Sequence, residues 1–173
     1  TPARYKHLGN TYQEQSAIVE YLYKLALSHP NVAFTLTNNN KLLFNTSGSN
    51  DILEIITAAY GIDTAKALVA FHGSNNLYHI HGFTTNNQVF RSNRNAINII
   101  VNGRIIRNLK MIYAVSDAYQ TLLPVGKYPV TTLFIEANPL LIDVNVHPSK
   151  LEIRFTDEQD LKHLITNTIY SNL

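Results

Sequence analysis

Residues 142–155 of this 173-residue chain read Ile142-Asp143-Val144-Asn145-Val146-His147-Pro148-Ser149-Lys150-Leu151-Glu152-Ile153-Arg154-Phe155. Apolar and polar residues alternate on both sides of Pro148, which is the pattern of two half-buried β-strands. Proline offers no N–H to a strand ladder and keeps the preceding residue extended, so the first strand is expected to end at His147. Pro148 and Ser149 then make a turn, and Lys150 is presented by a rigid junction between two strands.

The position of Lys150 allows two interpretations. A lysine beside a turn is most often a solvated charge. Alternatively, its ammonium is a compact point charge suited to a phosphate oxygen, in a charge-assisted hydrogen bond of roughly 1.5 to 3 kcal/mol. Position alone does not choose between the two.

The composition indicates one main domain without disulfides. Hydrophobic residues make up 45% of the chain, charged residues make up 15%, and there is no cysteine. No apolar run approaches the roughly 18 residues that a membrane-spanning helix needs, and residues 1–4 do not resemble a signal peptide. We therefore expect a soluble, cytoplasmic protein that contacts no membrane. The chain begins without methionine, inside what reads as a loop, and we interpret it as a fragment of a larger protein.

The positive charge is concentrated in one part of the sequence. Residues 1–90 carry no net charge, and residues 128–173 carry a net charge of −3. Between them, residues 91–127 contain six basic residues against Asp117 alone. Such an excess is expected where a polyanion is approached, although a solvated helix face gives the same pattern. The six basic residues are Arg91, Arg94, Arg104, Arg107, Lys110 and Lys127.

No complete catalytic or metal-binding group is visible in the sequence. His79 and His81 stand at i and i+2 of a predicted strand, but zinc sites use three or four ligands and no partner cluster accompanies them. Gly126-Lys127 resembles the end of a phosphate loop, yet Thr121 occupies the place of its first glycine and Tyr128 that of its Ser/Thr. We expect no catalytic residue and no metal ligand in this chain.

The remaining sequence alternates between helical and strand patterns, which predicts a mixed α+β fold. Helices are predicted over residues 12–28, 107–122 and 157–170. Another helix is predicted to begin at a Ser49 or Asn50 cap and to end at Gly61. The inward face of the third helix is predicted to carry Leu109, Ile112, Tyr113 and Tyr119. Strands are predicted over residues 32–37, 41–45, 68–72, 77–83, 96–101 and 131–137.

Three segments together carry a family resemblance. They are Thr1-Pro2-Ala3-Arg4-Tyr5-Lys6-His7-Leu8, Val101-Asn102-Gly103-Arg104-Ile105-Ile106-Arg107 and the run from Asp143 to Phe155 quoted above. In their order and separations they resemble MutL-type DNA mismatch-repair proteins, especially those of low-GC Gram-positive bacteria, over essentially the whole chain. Two positions depart from the family pattern. His7 replaces an aromatic residue, and Leu109 stands where some relatives place a basic residue implicated in DNA contact.

The resemblance implies a domain division and a fold. Residues 1–10 would be the tail of an upstream ATPase domain of the gyrase, Hsp90, histidine kinase and MutL superfamily, or a linker. Residues 11–173 would be the transducer domain. Its family fold is α+β, a two-layer sandwich with a left-handed βαβ crossover, as in the transducer domain of type II topoisomerases and in related kinases. Such fold similarity implies no kinase activity.

The resemblance also implies a function. In the family, a lysine at the position of Lys150 contacts the γ-phosphate of ATP, which the upstream domain holds. The chain alone would then be no enzyme and hold no cofactor, whereas the parent protein would be an ATPase using ATP and Mg²⁺. The expected partners are DNA, a MutS-type mismatch-sensing protein, the upstream ATPase domain and a second copy of the parent, at the nucleoid during repair. The expected DNA contacts are Arg91, Arg94, Arg104, Arg107 and Lys110, although Arg104 could instead hold the Asn102-Gly103 turn.

Two other classes of function remain open on the sequence. An RNA-binding module could share such a fold, but no aromatic stacking motif or strongly basic composition accompanies it. A small-molecule kinase would need a glycine-rich phosphate loop of its own, which the sequence does not provide.

Overall fold

The computed structural model describes residues 11–147 and 150–173, with side chains over 12–144 and 153–173. The chain divides into two compact units, with the boundary between Ala65 and Lys66. The predicted ATPase tail, residues 1–10, lies outside the described residues.

The first unit combines helices with one β-hairpin. Its elements are α1 (Thr11–Ser28), β1 (Ala33–Asn38), β2 (Lys41–Ser47), α2 (Ile52–Tyr60) and α3 (Ile62–Lys66), whose last residue crosses the boundary. β1 and β2 are antiparallel and are joined by Asn39 and Asn40, both at positive φ, which suits a tight hairpin. The buried side chains include Tyr23, Phe44 and Ile56. The predicted first helix and hairpin are therefore confirmed.

The cap of α2 differs from the prediction. Neither Ser49 nor Asn50 caps the helix. The carboxylate of Asp51 does so by accepting from the N–H of Leu53 at 3.0 Å. The predicted end at Gly61 is confirmed, since its φ of 88° lies in the region that favours glycine.

The second unit is built on one mixed five-stranded sheet. Its strands are β3 (Leu68–Ser74), β4 (Tyr78–Thr85), β5 (Ile97–Val101), β6 (Arg104–Ile106) and β7 (Thr131–Ala137), in the spatial order β3-β4-β7-β5-β6. β5 and β7 are parallel, whereas the other neighbours are antiparallel. The connection from β5 to β7 passes through β6 and helix α4 (Leu109–Asp117). A last helix, α5, spans Glu158–Asn172.

Both helices of the second unit share a core with alternating residues of the sheet. Side chains of α4 and α5 pack with those of β4, β5 and β7, as in Met111, Ile165, Ile80, Ile99 and Leu133. All five are essentially inaccessible to solvent. The structure is therefore mixed α+β, with helices packed on a mixed sheet, and the predicted fold class is confirmed.

The inward face predicted for α4 is partly wrong. Ile112 and Tyr119 are buried as predicted, but Leu109 is 50% exposed and Tyr113 is 44% exposed. The buried face is instead formed by Met111, Ile112, Ala114 and Val115. The helix is also shorter than predicted, because Asn108 caps it and turns replace the helix after Asp117.

A buried polar cluster joins the segment after α4 to the sheet. The hydroxyl of Tyr119 donates to the carbonyl of Thr85 at 2.5 Å and lies 2.6 Å from Thr84 Oγ1. Thr84 Oγ1 in turn lies 2.7 Å from Thr131 Oγ1. Burial raises the pKa of the Tyr119 hydroxyl well above its usual value near 10. Its neutral form is thus favoured by folding, and this stabilisation is lost as the pH rises through the raised pKa.

Replacing Tyr119 with phenylalanine is expected to lower the free energy of unfolding by about 1 to 3 kcal/mol, because it leaves buried oxygens without their partner. Denaturant unfolding measures the effect. Tyr170→Phe is the matched control, since that side chain is 59% exposed. Equal stabilities of the two variants would contradict the structural role of the Tyr119 hydroxyl.

Candidate functional site

The strand that carries Lys150 forms the predicted hairpin. β8 (Ile142–His147) pairs antiparallel with β9 (Lys150–Phe155), and the register closes with His147 opposite Lys150. The predicted end of the first strand at His147 is confirmed, as is the start of the second after the Pro148-Ser149 pair. The side chain of Lys150 lies outside the described residues.

The far end of β9 is fixed in the core of the second unit. Phe155 is 8% exposed and Ile153 is 9% exposed, and both belong to the main core. The Tyr78 ring meets Phe155 edge-on at 6.1 Å, and its hydroxyl donates to the Thr156 carbonyl at 2.6 Å. The Thr156 N–H donates to the Leu141 carbonyl at 3.0 Å, which closes the base of the hairpin. Lys150 therefore begins a strand that is anchored three residues later.

Arg104 follows a tight turn and is the first residue of β6. Asn102 and Gly103 have φ angles of 48° and 82°, as in the two-residue turns that join antiparallel strands. The Asn102 side chain holds this turn against β7, since it accepts from the Ala137 N–H and donates to the Ala137 carbonyl, each at 3.0 Å. Arg104 is exposed, so the turn is held by Asn102.

Arg107 lies in the link between β6 and α4. It is exposed, directly before the capping residue Asn108. Within the described part of the chain, neither Arg104 nor Arg107 has a side-chain hydrogen bond or ion pair. Both are exposed basic residues.

Arg94 is held between two tyrosines. Its guanidinium lies 4.6 Å from the ring centroid of Tyr113 and 4.2 Å from that of Tyr128, and its Nε donates to Ser116 Oγ at 3.2 Å. Stacking of this kind contributes about 0.5 to 2 kcal/mol. Arg94 thus fixes the segment before β5 against α4. Arg91 continues the arrangement, because its backbone exchanges hydrogen bonds of 2.7 and 2.9 Å with Tyr128.

Lys110 is paired within the protein. Its Nζ lies 3.5 Å from a carboxylate oxygen of Glu158 in α5, and the lysine side chain is 68% exposed. An exposed pair of this kind contributes less than about 1 kcal/mol, so a phosphate could compete for the lysine.

Of the two histidines considered for a metal, His81 has contacts outside the pair. His81 stacks on Phe134 with centroids 5.0 Å apart, and its Nε2 lies 3.1 Å from Glu136 Oε1. The ring centroids of His79 and His81 are 6.0 Å apart. Across the described ranges, no group of three His, Cys, Asp or Glu side chains is arranged to hold a metal ion.

Comparison with known proteins decides the family. Residues 56–173 match the family model described as "DNA mismatch repair protein, C-terminal domain". The chain belongs to the MutL family of DNA mismatch repair proteins. The resemblance inferred from the three motifs is thereby confirmed.

Bacterial MutL proteins are similar to nearly the whole chain. The DNA mismatch repair protein MutL of Anoxybacillus flavithermus is 44% identical over 169 residues, which are 98% of this chain and 28% of that protein. MutL of Bacillus mycoides is 42% identical over 171 residues, which are 99% of this chain and 27% of that protein. The chain thus spans just over a quarter of the length of these relatives.

Two solved structures share the fold. The crystal structure of the N-terminal domain of a DNA repair protein matches with a TM-score of 0.77 and 20% identity, over 98% of this chain and 56% of that one. A MutL ATPase domain of Aquifex aeolicus carrying a single substitution matches with a TM-score of 0.63 and 15% identity, over 97% of this chain and 56% of that one.

The residues predicted to contact DNA fall into two groups in the structure. Arg104, Arg107 and Lys110 lie on β6, the link and the first turn of α4, with their charges at the surface. Arg94 stacks on two tyrosine rings, and the backbone of Arg91 is hydrogen-bonded to that of Tyr128. Sequence reasoning missed both β6 and the arginine stack. Asn102-Gly103 was the available signal for β6, because this dipeptide favours a hairpin with a returning strand.

No helix within the described ranges is long and apolar enough to span a membrane.

Proposed function

We propose that this chain is the transducer of a MutL-type mismatch repair protein, which couples ATP binding in a separate ATPase domain to dimer closure and DNA binding. The observation that carries the proposal is the position of Lys150 at the start of β9, a strand whose other end is anchored in the core at Ile153 and Phe155. A charge presented by an anchored strand can transmit the presence of its partner to the rest of the domain.

The physical basis is a contact that only one nucleotide makes. An ammonium that meets the γ-phosphate interacts with ATP and not with ADP, so ATP favours the docked arrangement of the two domains. A ligand shifts a conformational equilibrium only by such a difference in interaction. ATP turnover by the full-length protein with Lys150→Ala tests this assignment.

ATP and Mg²⁺ would be held by the ATPase domain. A cavity of about 450 Å³ in the second unit has the wrong charge for a triphosphate, because Asp157 and Asp160 line it together with His163. Lys150 would supply only the charge that reaches the terminal phosphate of a nucleotide bound elsewhere. Dimer closure and recruitment of a MutS-type partner would follow from the docked arrangement.

DNA contact is the second part of the proposal. Arg104 and Arg107 would bind the phosphate backbone, with Lys110 joining them when it leaves Glu158. Arg91 and Arg94 would contribute through the local field while keeping their tyrosine contacts. Binding through phosphates is independent of sequence and weakens with salt, because each neutralised phosphate releases counterions.

Replacing Arg104 and Arg107 together with alanine is expected to weaken DNA binding by roughly ten-fold at low salt. The slope of log affinity against log salt should become less steep by about two, one for each phosphate that the arginines no longer neutralise. Salt titration of a labelled duplex with the full-length protein measures both quantities. Lys24→Ala with Lys41→Ala removes the same charge from the first unit and is the control. A double arginine variant that keeps the wild-type slope would show that these arginines are solvated.

A further inference from the structure

Asn108 connects two parts of the second unit that the proposed function uses separately. Its Oδ1 accepts from the N–H of Met111 at 3.2 Å, which caps α4. Its Nδ2 donates to the carbonyl oxygen of Ile153 in β9 at 3.4 Å. One side chain therefore contacts both the helix that follows Arg107 and the strand that begins at Lys150.

Asparagine at this position has a hydrogen-bond donor that a helix cap does not require. Serine and aspartate cap helices as well as asparagine does, because the cap needs only an acceptor. Asparagine adds an amide N–H that donates to the strand facing the helix. Aspartate has no such donor, and the serine side chain is too short to supply one at this distance. The second hydrogen bond is thus a separate feature of this side chain.

The contact lies close to both proposed ligand contacts. Arg107 is the preceding residue, so a movement of its backbone displaces Asn108 directly. Ile153 lies three residues after Lys150 on the same strand, a distance of roughly 10 Å. A bond of 3.4 Å is longer than the usual range of about 2.7 to 3.2 Å, so a small shift of α4 against β9 tightens or breaks it. Lys110 and Glu158 add a second contact, between α4 and the helix that follows β9.

Resting on the proposed function, we infer that Asn108 is the positioning residue through which DNA at Arg104 and Arg107 and the γ-phosphate at Lys150 influence each other. DNA bound at the start of α4 favours one position of Asn108, and that position sets where β9 presents Lys150. Coupling between two binding sites is reciprocal, so ATP must strengthen DNA binding by the same factor as DNA strengthens ATP binding.

Three substitutions separate this coupling from helix capping. Asn108→Asp and Asn108→Ser keep an acceptor for Met111 and remove the donor to Ile153. Asn108→Ala removes both. Asn95→Ser is the matched control, because Asn95 is an exposed asparagine in the segment before β5.

The measured quantity is the ratio of DNA affinities of the full-length protein with and without a non-hydrolysable ATP analogue, using a labelled duplex. The Asp and Ser variants are expected to lower this ratio by about three-fold to ten-fold, as removal of one hydrogen bond implies. Their melting temperatures should fall less than that of the alanine variant, because they keep the cap. Asn95→Ser should leave the ratio unchanged. The alanine variant should lower both the ratio and the melting temperature.

Two results would overturn the inference. One is a wild-type ratio in both the Asp and the Ser variants. The other is a ratio that falls only in the alanine variant, in step with its melting temperature, which would leave Asn108 as a cap alone. A different result would contradict the proposed function. In that case the Lys150→Ala variant would keep the wild-type nucleotide dependence of DNA binding, whatever the Asn108 variants show.

Discussion

Replacing Lys150 with alanine in the full-length protein is expected to slow ATP turnover by about ten-fold to a hundred-fold. A charge-assisted hydrogen bond contributes roughly 1.5 to 3 kcal/mol, and each 1.4 kcal/mol corresponds to a factor of about ten. The affinity for ADP should not change, because ADP lacks the phosphate that the lysine would contact. Steady-state turnover and equilibrium binding of both nucleotides measure these effects.

A second lysine of the same unit provides the control. Lys162 lies in α5, so Lys162→Ala removes the same charge without touching β9. The assignment of Lys150 is wrong if its variant keeps the turnover and ATP affinity of the wild type. An equal decrease in ATP and ADP affinity would also contradict a contact limited to the γ-phosphate.

Replacing Gly82 with alanine is expected to lower the free energy of unfolding by about 3 kcal/mol. Gly82 lies in β4, between Phe71 of β3 and Leu133 of β7 in the register of the sheet. A Cβ at this position would overlap the carbonyl oxygen of Thr132 and approach Phe71 Cζ to 3.0 Å. Backbone in the middle of a sheet cannot move aside cheaply, so overpacking here costs at the upper end of its usual range.

Gly103→Ala separates this overlap from conformational strain. Gly103 has a φ of 82°, but a Cβ there would meet no atom within 4 Å. Its replacement is expected to cost only about 1 to 2 kcal/mol, the penalty for a left-handed residue. Denaturant unfolding of both variants gives the comparison. Equal decreases in stability would mean that close approach at Gly82 contributes nothing.

The hairpin of Lys150 could be predicted because its signal is local. Alternation of apolar and polar residues has a period of two, and Pro148 interrupts it at one place, so both strand ends follow from adjacent residues. The strand over Ala33–Asn38 was predictable from the same alternation. The role of Lys150 is different, because the motif around it and not its geometry indicated phosphate.

The buried face of α4 shows where the sequence was misread. Met111, Ala114, Val115 and Ala118 follow the i, i+3, i+4, i+7 spacing of a buried helix face. Tyr113 belongs to the predicted inward face but is 44% exposed. Its ring instead contacts Arg94, which is distant in sequence, and no local pattern reveals such a pairing.

The candidate site could be predicted only in outline. In the sequence, Arg94 and Arg104 are two equal charges in one basic segment. The structure separates them, since one is stacked between tyrosines and the other is exposed on β6. Likewise, a capping role for Asn108 is readable from its neighbours, but its bond to Ile153 depends on a strand 45 residues away.

The central place of β7 in the sheet bears on how the protein is made. β7 lies between β4 and β5, although it is synthesised after both. While residues 131–137 are still on the ribosome, the β3–β4 and β5–β6 hairpins each expose an edge that β7 will later cover. Uncovered edges pair readily with other chains. A nascent chain that stalls before Thr131 therefore leaves both of these edges uncovered, and release of residues 131–137 allows β7 to cover them.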